Sequence, residues 1–269
     1  MTETYADLAL ARRLERCEAS ANSAMIESRA RLQPQSGAAW IDRNGTYAMF
    51  DGTLSPLTQT FGFGLFHDAN DADLDVIEQF FASRGAAVYH EVSPLAGVET
   101  MNVLSRRGYA PAELTSVMYG SIAPSDSPSS VQARVIAAGE EGLWSEVSAR
   151  GWSEHPELHD FLLDIGRVSA GSRGNACFLA EENGRAIGTG ALFVHDGVAL
   201  LAGASTIPEA RRHGAQRALL EARLRYAREQ GCEMAMMCAL PGSASQRNGE
   251  RQGFRIAYTR IKWGRVSVT

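Results

Sequence analysis

Between Ile207 and Gly231 the chain reads IPEARRHGAQRALLEARLRYAREQG. The stretch joins an apolar run to an amphipathic helix, and at the junction it places Arg211, Arg212, His213 and Gly214. The spacing predicts a helix from Gly214 to Gln230, closed by Gly231, the residue type favoured just past a helix end. Ala215, Ala218, Leu219, Ala222 and Tyr226 share one face, and Arg217, Glu221, Arg225 and Arg228 the opposite one. A second apolar stripe, Leu220, Leu224 and Ala227, predicts packing on more than one side. The first turn of any helix exposes N–H groups without intrahelical acceptors, and the macrodipole behind them favours an anion. Gly214 lets the backbone approach a ligand closely. Arg211 and Arg212 add charge-assisted donors suited to phosphate oxygens. The alternative is an ordinary solvated helix start, and the surrounding elements separate the two.

Upstream, Ala176 to Thr206 reads ACFLAEENGRAIGTGALFVHDGVALLAGAST. Asn183-Gly184 and Asp196-Gly197 are hairpin signals, because two-residue turns demand positive φ. They predict three antiparallel strands near 176–182, 185–195 and 198–206. An antiparallel meander before the loop excludes a Rossmann unit, which requires a parallel βαβ crossover. The Walker pattern is absent, and GFGLFH and GTGALF lack the third glycine of a dinucleotide fingerprint. Ahead of the meander, VQARVIA reads as a strand and Glu140–Arg150 and Pro156–Ala170 as helices. Behind the long helix come a buried strand EMAMMCAL, a polar helix SASQRNGERQ and a last strand after Gly253-Phe254. Met234, Met236 and Met237 read as core filler. The fold class is therefore mixed α/β, a largely antiparallel sheet flanked by helices.

The first part of the chain repeats this order. GAAWIDRNGTYAMFDG holds Asn44-Gly45 and Asp51-Gly52 as hairpin turns, LTQTFGFGLF is a strand, ADLDVIEQFFASRG a helix and AAVYHEVSP a buried strand. The ends match best: RGAAVYHEVSP with RRGYAPAELTSVMY parallels QGCEMAMMCALPG with RQGFRIAYTRIKW. Between the parts, SIAPSDSPSSVQ is rich in Ser and Pro, lacks periodicity and reads as a linker. The expected division is 1–122, a linker at 123–130, and 131–269.

The formal net charge of -5 offers no basic field to a nucleic-acid backbone. No apolar run approaches the roughly 20 residues needed to cross a bilayer. MTETYADLALARRLERCEAS carries early charges of both signs and does not read as a signal peptide. Cys17, Cys177, Cys232 and Cys238 form neither a C-x-x-C pair nor a disulfide framework. A cytoplasmic protein is expected, with neither nucleic acid nor membrane as partner. His155 and His159 would share a helix face, but Glu157 between them and no evident third ligand argue against a metal.

With these elements placed, the chain resembles the GCN5-related N-acetyltransferase (GNAT) family. The family signature, Arg/Gln-x-x-Gly-x-Gly/Ala entered from a strand and opening a helix, is matched by Arg211-Arg212-His213-Gly214-Ala215-Gln216. Gln216 stands where the last small residue is usual. PGSASQRNGERQGFRIAYTR is similar to the family's second signature. The resemblance covers Val131 to Trp263; over the first part it rests on element order and implies two tandem GNAT-like copies, the first degenerate. It implies the acyl-CoA N-acyltransferase fold, acetyl-coenzyme A (acetyl-CoA) as cosubstrate, and acetyl transfer to a primary amine of a small molecule or peptide. It also implies that the strand before the loop parts from the next strand to admit the pantetheine arm. Backbone contacts then fall to Ser205, Thr206 and Ile207. Pyrophosphate contacts fall to Arg211, Arg212, His213, Gly214, Ala215, Gln216 and Arg217, and side-chain contacts to Ser243, Ser245 and Asn248. The matching loop of the first part, FHDANDADLD, holds Asp68, Asp71, Asp73 and Asp75 and no arginine or glycine, so no cofactor is expected there.

The attacking amine must first lose a proton. With a pKa of about 10.4, that costs roughly 4–5 kcal/mol near pH 7, and a carboxylate, a histidine or a water chain assists. Glu154 in GWSEHPELHD is the expected base, with His155 and His159 beside it. Ser205, next to the expected thioester, is the other candidate catalytic residue, and an N–H near Thr206 is the candidate oxyanion donor. No carboxylate lies in the strand 198–206, and the tyrosine position that the family often uses as general acid is Gly249. These gaps keep a second reading open, a non-catalytic acyl-CoA-binding sensor or interaction module. Trp152 and Trp40 are expected to wall the acceptor site where the two halves face each other. A tandem chain satisfies internally the pairing that single-copy relatives obtain by dimerising, so a monomer is expected.

Overall fold

The computed structural model describes residues 5–123 and 130–265, so most of the expected linker at 123–130 lies outside the described residues. The first part of the chain forms α1 (Leu8–Leu32), β1 (Ala39–Arg43), β2 (Thr46–Phe50), β3 (Gln59–Phe61), α2 (Asp71–Ala82), β4 (Tyr89–Val92), α3 (Val98–Arg106) and β5 (Tyr109–Ser121). The second part forms β6 (Gln132–Val135), α4 (Glu141–Arg150), α5 (His159–Ala170), β7 (Asn175–Glu182), β8 (Arg185–His195) and β9 (Val198–Thr206). It continues with α6 (Ala215–Glu229), β10 (Met234–Ala239), α7 (Ala244–Arg251) and β11 (Arg255–Arg265). Compact units do not follow the repeat boundary: one comprises residues 1–120 with 236–269, the other 121–235.

In the first unit the strand order is β1-β2-β3-β4-β11-β5-β10. β3 and β4 run parallel, whereas β1–β2, β2–β3, β4–β11 and β11–β5 are antiparallel. The closing strand of the second repeat thus lies between the last two strands of the first. Alternation across the pleat gives β2 two cores. Ala48 and Phe50 pack with Leu74, Ile77, Phe81 and Leu104, and Met49 packs with Ala19, Ile26 and Phe61.

A buried ionic network holds β11 in this position. The Arg260 guanidinium, 2% exposed, bonds Glu91 at 2.9 Å and Glu18 at 2.7 Å and reaches Glu15 at 3.4 Å. The Tyr258 hydroxyl donates to Glu15 at 2.9 Å, and Lys262 Nζ lies 3.1 Å from Glu91. Burial pushes the Glu15 carboxyl up to about 7 against the opposing charge of Arg260, with Glu18 adding to the rise. Burial acts the same way on Glu18, but the charge and hydrogen bond of Arg260 hold it below the ordinary range. Removing one partner from such a group typically costs about 3–5 kcal/mol, because the others stay buried and unpaired.

The network also explains why α1 escapes the periodicity of the sequence. Its buried face includes Glu15, Ser23, Ser28 and Arg29 beside Leu10, Leu14 and Ile26. Polar residues thus interrupt the apolar stripe that would announce the helix. Asn44-Gly45 makes the expected tight turn, with φ of 51° and 85°. Asp51-Gly52 does not. The Asp51 carboxylate is buried against Arg29 at 2.8 Å and accepts from Ser55 at 2.7 Å, opening a wider loop that delays the next strand to Gln59.

In the second unit β9, β8, β7 and β6 are neighbours in that order and pair antiparallel throughout. Its strands fall where the hairpin signals place them. The turns at Asn183-Gly184 and Asp196-Gly197 both have positive φ at the two residues. Helices cover opposite faces of β8. A Cβ on Gly188 would meet Ala215 of α6 and one on Gly190 would meet Arg223 of α6, whereas Thr189 bonds Ser205, whose hydroxyl reaches Ser148 of α4. Trp144 of α4, 2% exposed, closes the α4 side and donates its indole N–H to the Phe178 carbonyl at 3.0 Å.

The Glu15 shift makes a prediction. A carboxyl whose folded pKa is raised supplies its stability below the unfolded value of 4.5 and loses it as pH climbs through about 7. Glu15→Gln mimics the protonated form, so its melting temperature should gain on the wild type as the buffer moves from about pH 5 to about pH 8. Thermal melts across that range check it; a constant difference between the two proteins contradicts the raised carboxyl.

Candidate active site

The site begins where β9 runs into α6. The Ile207 N–H bonds the Ile187 carbonyl at 3.0 Å, and a 3-10 turn at Pro208–Ala210 follows. Arg211 N–H then bonds the Pro208 carbonyl at 3.2 Å and His213 N–H the Ala210 carbonyl at 3.4 Å. Arg212 takes φ of 69° and Gly214 φ of 99°. The first is uncommon for a side chain with a Cβ and marks a conformation the surroundings impose. Gly214 is the N-cap of α6, which has no side-chain cap. The N–H groups of Arg212, Gly214, Ala215 and Gln216 have no hydrogen-bond partner among the described residues. They are a row of donors at the positive end of a helix.

Side chains around the row divide into fixed and free. Arg211 donates to Glu154 at 2.8 Å and to the Gly151 carbonyl at 3.2 Å, so it ties down the connection between α4 and α5. His213 Nδ1 sits 3.0 Å from Glu182, Gln216 Nε2 donates to the Thr206 hydroxyl at 2.8 Å, and Arg217 pairs with Glu221 at 2.9 Å. The Arg212 guanidinium is exposed and has no partner among the described residues. The sequence treats the two arginines alike; the structure separates them.

The corresponding helix of the first repeat, α2, is closed. Asn70 caps it by accepting from the Asp73 N–H, and the Asp73 carboxylate accepts from Arg43 at 2.6 Å and from Asn44 and Asn70 at 2.9 Å each. The bonds of the Asp73 carboxylate hold its pKa down against burial. Asp68, Asp71, Asp73 and Asp75 lie in or beside this first turn, and their charge disfavours a further anion.

Just upstream of the row, β9 carries a register shift against β8. Ser205 faces Thr189 and Ala202 faces Ala191, so Gly203 and Ala204 together oppose Gly190 alone. This is a β-bulge, with Gly203 at φ of 58°. Ala202, Gly203 and Ala204 are exposed, although Leu200, Leu201, Ser205 and Thr206 on either side are buried. Small side chains leave the main chain of this segment open to a ligand. The Ser205 hydroxyl bonds Thr189 at 2.8 Å and the Ser148 carbonyl at 3.3 Å. A Cβ on Gly151 would fall 2.5 Å from it, so glycine is required there. The Ser205 side chain is therefore committed to the α4 wall.

Glu154 is exposed, and the hydrogen bond and charge of Arg211 hold its carboxyl below the ordinary range. His155 Nδ1 lies 3.4 Å from Glu157, His159 opens α5, and Trp152 is 47% exposed beside the His155 ring. Ser243, Ser245 and Asn248 belong to the first unit. Ser243 caps α7 by accepting from the Gln246 N–H at 3.1 Å, Ser245 is exposed, and Asn248 accepts from Arg251 at 3.2 Å. Gly249 is buried, and a Cβ there would lie 2.9 Å from Met237 Sδ and 3.3 Å from Met118 Cε, so α7 has no room for a side chain at that position. Trp40, also in the first unit, donates its indole N–H to Glu27. Arg223 escapes the sequence reading altogether: it sits among the apolar positions of α6 and is 4% exposed.

An uncapped helix start behind a strand with an open bulge is the geometry at this place, and it lies within a region that matches a known family. Residues 141–254 match the acetyltransferase (GNAT) family. The chain resembles a GCN5-related N-acetyltransferase from Kribbella flavida, with 20% identity over 90% of this chain and 95% of that one and a TM-score of 0.61. It also resembles a tandem GNAT protein from the clavulanic acid biosynthesis pathway, with 12% identity over 81% and 77% and a TM-score of 0.55. A GCN5-related N-acetyltransferase from Sphaerobacter thermophilus gives 14% identity over 84% and 75% and a TM-score of 0.53. No curated protein matches the sequence. The chain thus has the fold of these acetyltransferases, and its match to the family lies over 141–254.

The different bonding of the two arginines is testable. Arg211→Ala should speed hydrogen exchange across residues 151–158, whose turns it anchors, and Arg212→Ala should leave that segment unchanged. Equal behaviour of the two variants in exchange mass spectrometry would remove the distinction.

Proposed function

We propose that this protein transfers an acetyl group from acetyl-CoA to a primary amine of a small molecule or peptide. The observation that carries the reading is the row of unpartnered amides at Gly214, Ala215 and Gln216. The donor set fits a diphosphate: several N–H groups on a helix dipole, with the free Arg212 guanidinium next to them. The neighbouring carboxylates each have a partner, Glu154 in Arg211, Glu182 in the His213 ring and Glu209 in Arg150 and Arg185. The exposed main chain of Ala202–Ala204 suits an extended arm that pairs as a strand would; of the three expected contacts beyond it, Ile207 spends its N–H on Ile187 and Ser205 pairs with Thr189, which leaves Thr206. When bound, acetyl-CoA supplies an activated thioester carbonyl.

The chain's own residues then orient and polarise. Main-chain N–H groups at the end of β9 hold the arm and stabilise the oxygen that becomes anionic on attack. A thiol, with pKa about 8.5, leaves without a dedicated acid, which accords with the filled position at Gly249. Glu154, paired with Arg211 and held below the ordinary range, is a poor base, and the proton leaves through water. The first part is a degenerate second copy whose helix start carries a side-chain cap and two aspartates. The chain functions as a monomer in the cytoplasm.

Calorimetry with acetyl-CoA, paired with thiol release against a panel of primary amines, tests the reading. Arg212→Glu with Gly214→Asp should weaken acetyl-CoA binding roughly ten-fold or more, at least 1.4 kcal/mol. An unchanged affinity refutes the cradle. Tight binding by the wild type without thiol release on any amine points instead to the acyl-CoA-binding sensor. Glu154→Gln should lower the rate only a few-fold and preserve the shape of the pH–rate profile. A limb that vanishes in this variant makes Glu154 the base.

A further inference from the structure

We infer that Arg223 is a positioning residue for acyl transfer, holding the β9 bulge open from beneath; this rests on the reading that β9 receives the thioester. Among the described residues three arginines are buried, Arg29, Arg223 and Arg260. Arg29 is paired with Asp51, and Arg260 with Glu15, Glu18 and Glu91. Arg223 has no carboxylate. Its Nε donates to the Leu219 carbonyl at 3.1 Å, and its Nη1 donates to the carbonyls of Ala191 at 3.3 Å and Ala202 at 3.2 Å. Its Nη2 has no partner among the described residues. Gly190 makes the room, since a Cβ there would lie 3.1 Å from the guanidinium carbon and Nε.

Burying a guanidinium without a counter-charge is unfavourable, and an apolar side chain would fill this helix face at no such cost. What the arginine supplies is donors to two carbonyls at one place. Ala191 and Ala202 are register partners at the edge of the bulge, where the ladder is locally broken. One nitrogen bonded to both carbonyls fixes the point at which Gly203 and Ala204 leave β8. It therefore fixes the main-chain groups of the exposed segment in a preorganised position. The amides of Gly214–Gln216 lie outside its reach along α6, so anchoring of the diphosphate does not depend on it.

The test is Arg223→Met, which keeps the length of the side chain and removes its donors, with Arg223→Lys as the conservative variant. Exchange mass spectrometry should show peptides covering 200–206 opening roughly ten-fold faster or more, while the rest of the chain holds. In steady-state assays kcat should fall roughly ten-fold or more with the KM for acetyl-CoA within about two-fold, and Arg223→Lys should recover part of the loss. Unchanged exchange in 200–206 overturns the inference. Uniform acceleration over the whole chain also overturns it, because Arg223 would then serve general stability. Should Arg223→Met fail to fold, Gly190→Ala crowds the same guanidinium and must reproduce the local exchange and the kcat loss, or the inference fails. If the wild type transfers no acetyl group, the proposed function falls separately, and the exchange at 200–206 still decides the role of Arg223.

Discussion

Among the described residues, the N–H groups of Gly214, Ala215 and Gln216 at the start of α6 have no acceptor. Gly214 caps the helix without a side chain, and the positive φ of Arg212 turns the preceding loop so that its own amide is also unpartnered. Other features of the second unit serve this opening. Glu154, Glu182 and Glu209 would disfavour an anion here, and each is bonded by a side chain of the same unit. The fixed Arg211 secures the α4–α5 connection, and the free Arg212 remains for a ligand.

The same logic separates the two repeats. α2 and α6 hold matching places in their repeats, yet Asn70 caps α2 with its side chain and its first turn carries Asp71 and Asp73, whereas α6 starts at Gly214 with neither a side-chain cap nor an acidic first turn. Whether a helix start is a structural cap or a ligand cradle turns on such short polar residues, and the fold is indifferent to the choice.

Strand β11 imposes a second constraint. Its place between β4 and β5 makes the end of the chain part of the unit built by its beginning. The buried Arg260 selects that place: its three carboxylates come from α1 and β4, so no other strand position satisfies all of them together. Ionic groups of this kind add little net stability but penalise wrong registers heavily, which is a means of specifying one pairing.

The sequence by itself determined the local periodicities and turns. The three strands of the meander, the long helix that follows them and the polar helix after Pro241 were legible from glycine placement and apolar spacing. These features are set by contacts a few residues apart. Only the tertiary structure decided that Arg211 is engaged and Arg212 free, that the Ser205 hydroxyl faces α4, and that Asp51 opens a loop instead of a hairpin. It also placed Arg223 inside the sheet–helix interface and recruited Glu15 and Glu18 of α1 to a strand near the far end of the chain. The physical reason is common to all of them. A charged or hydroxyl side chain takes its role from the partner it meets, and those partners lie dozens to hundreds of residues away, where no spacing rule reaches.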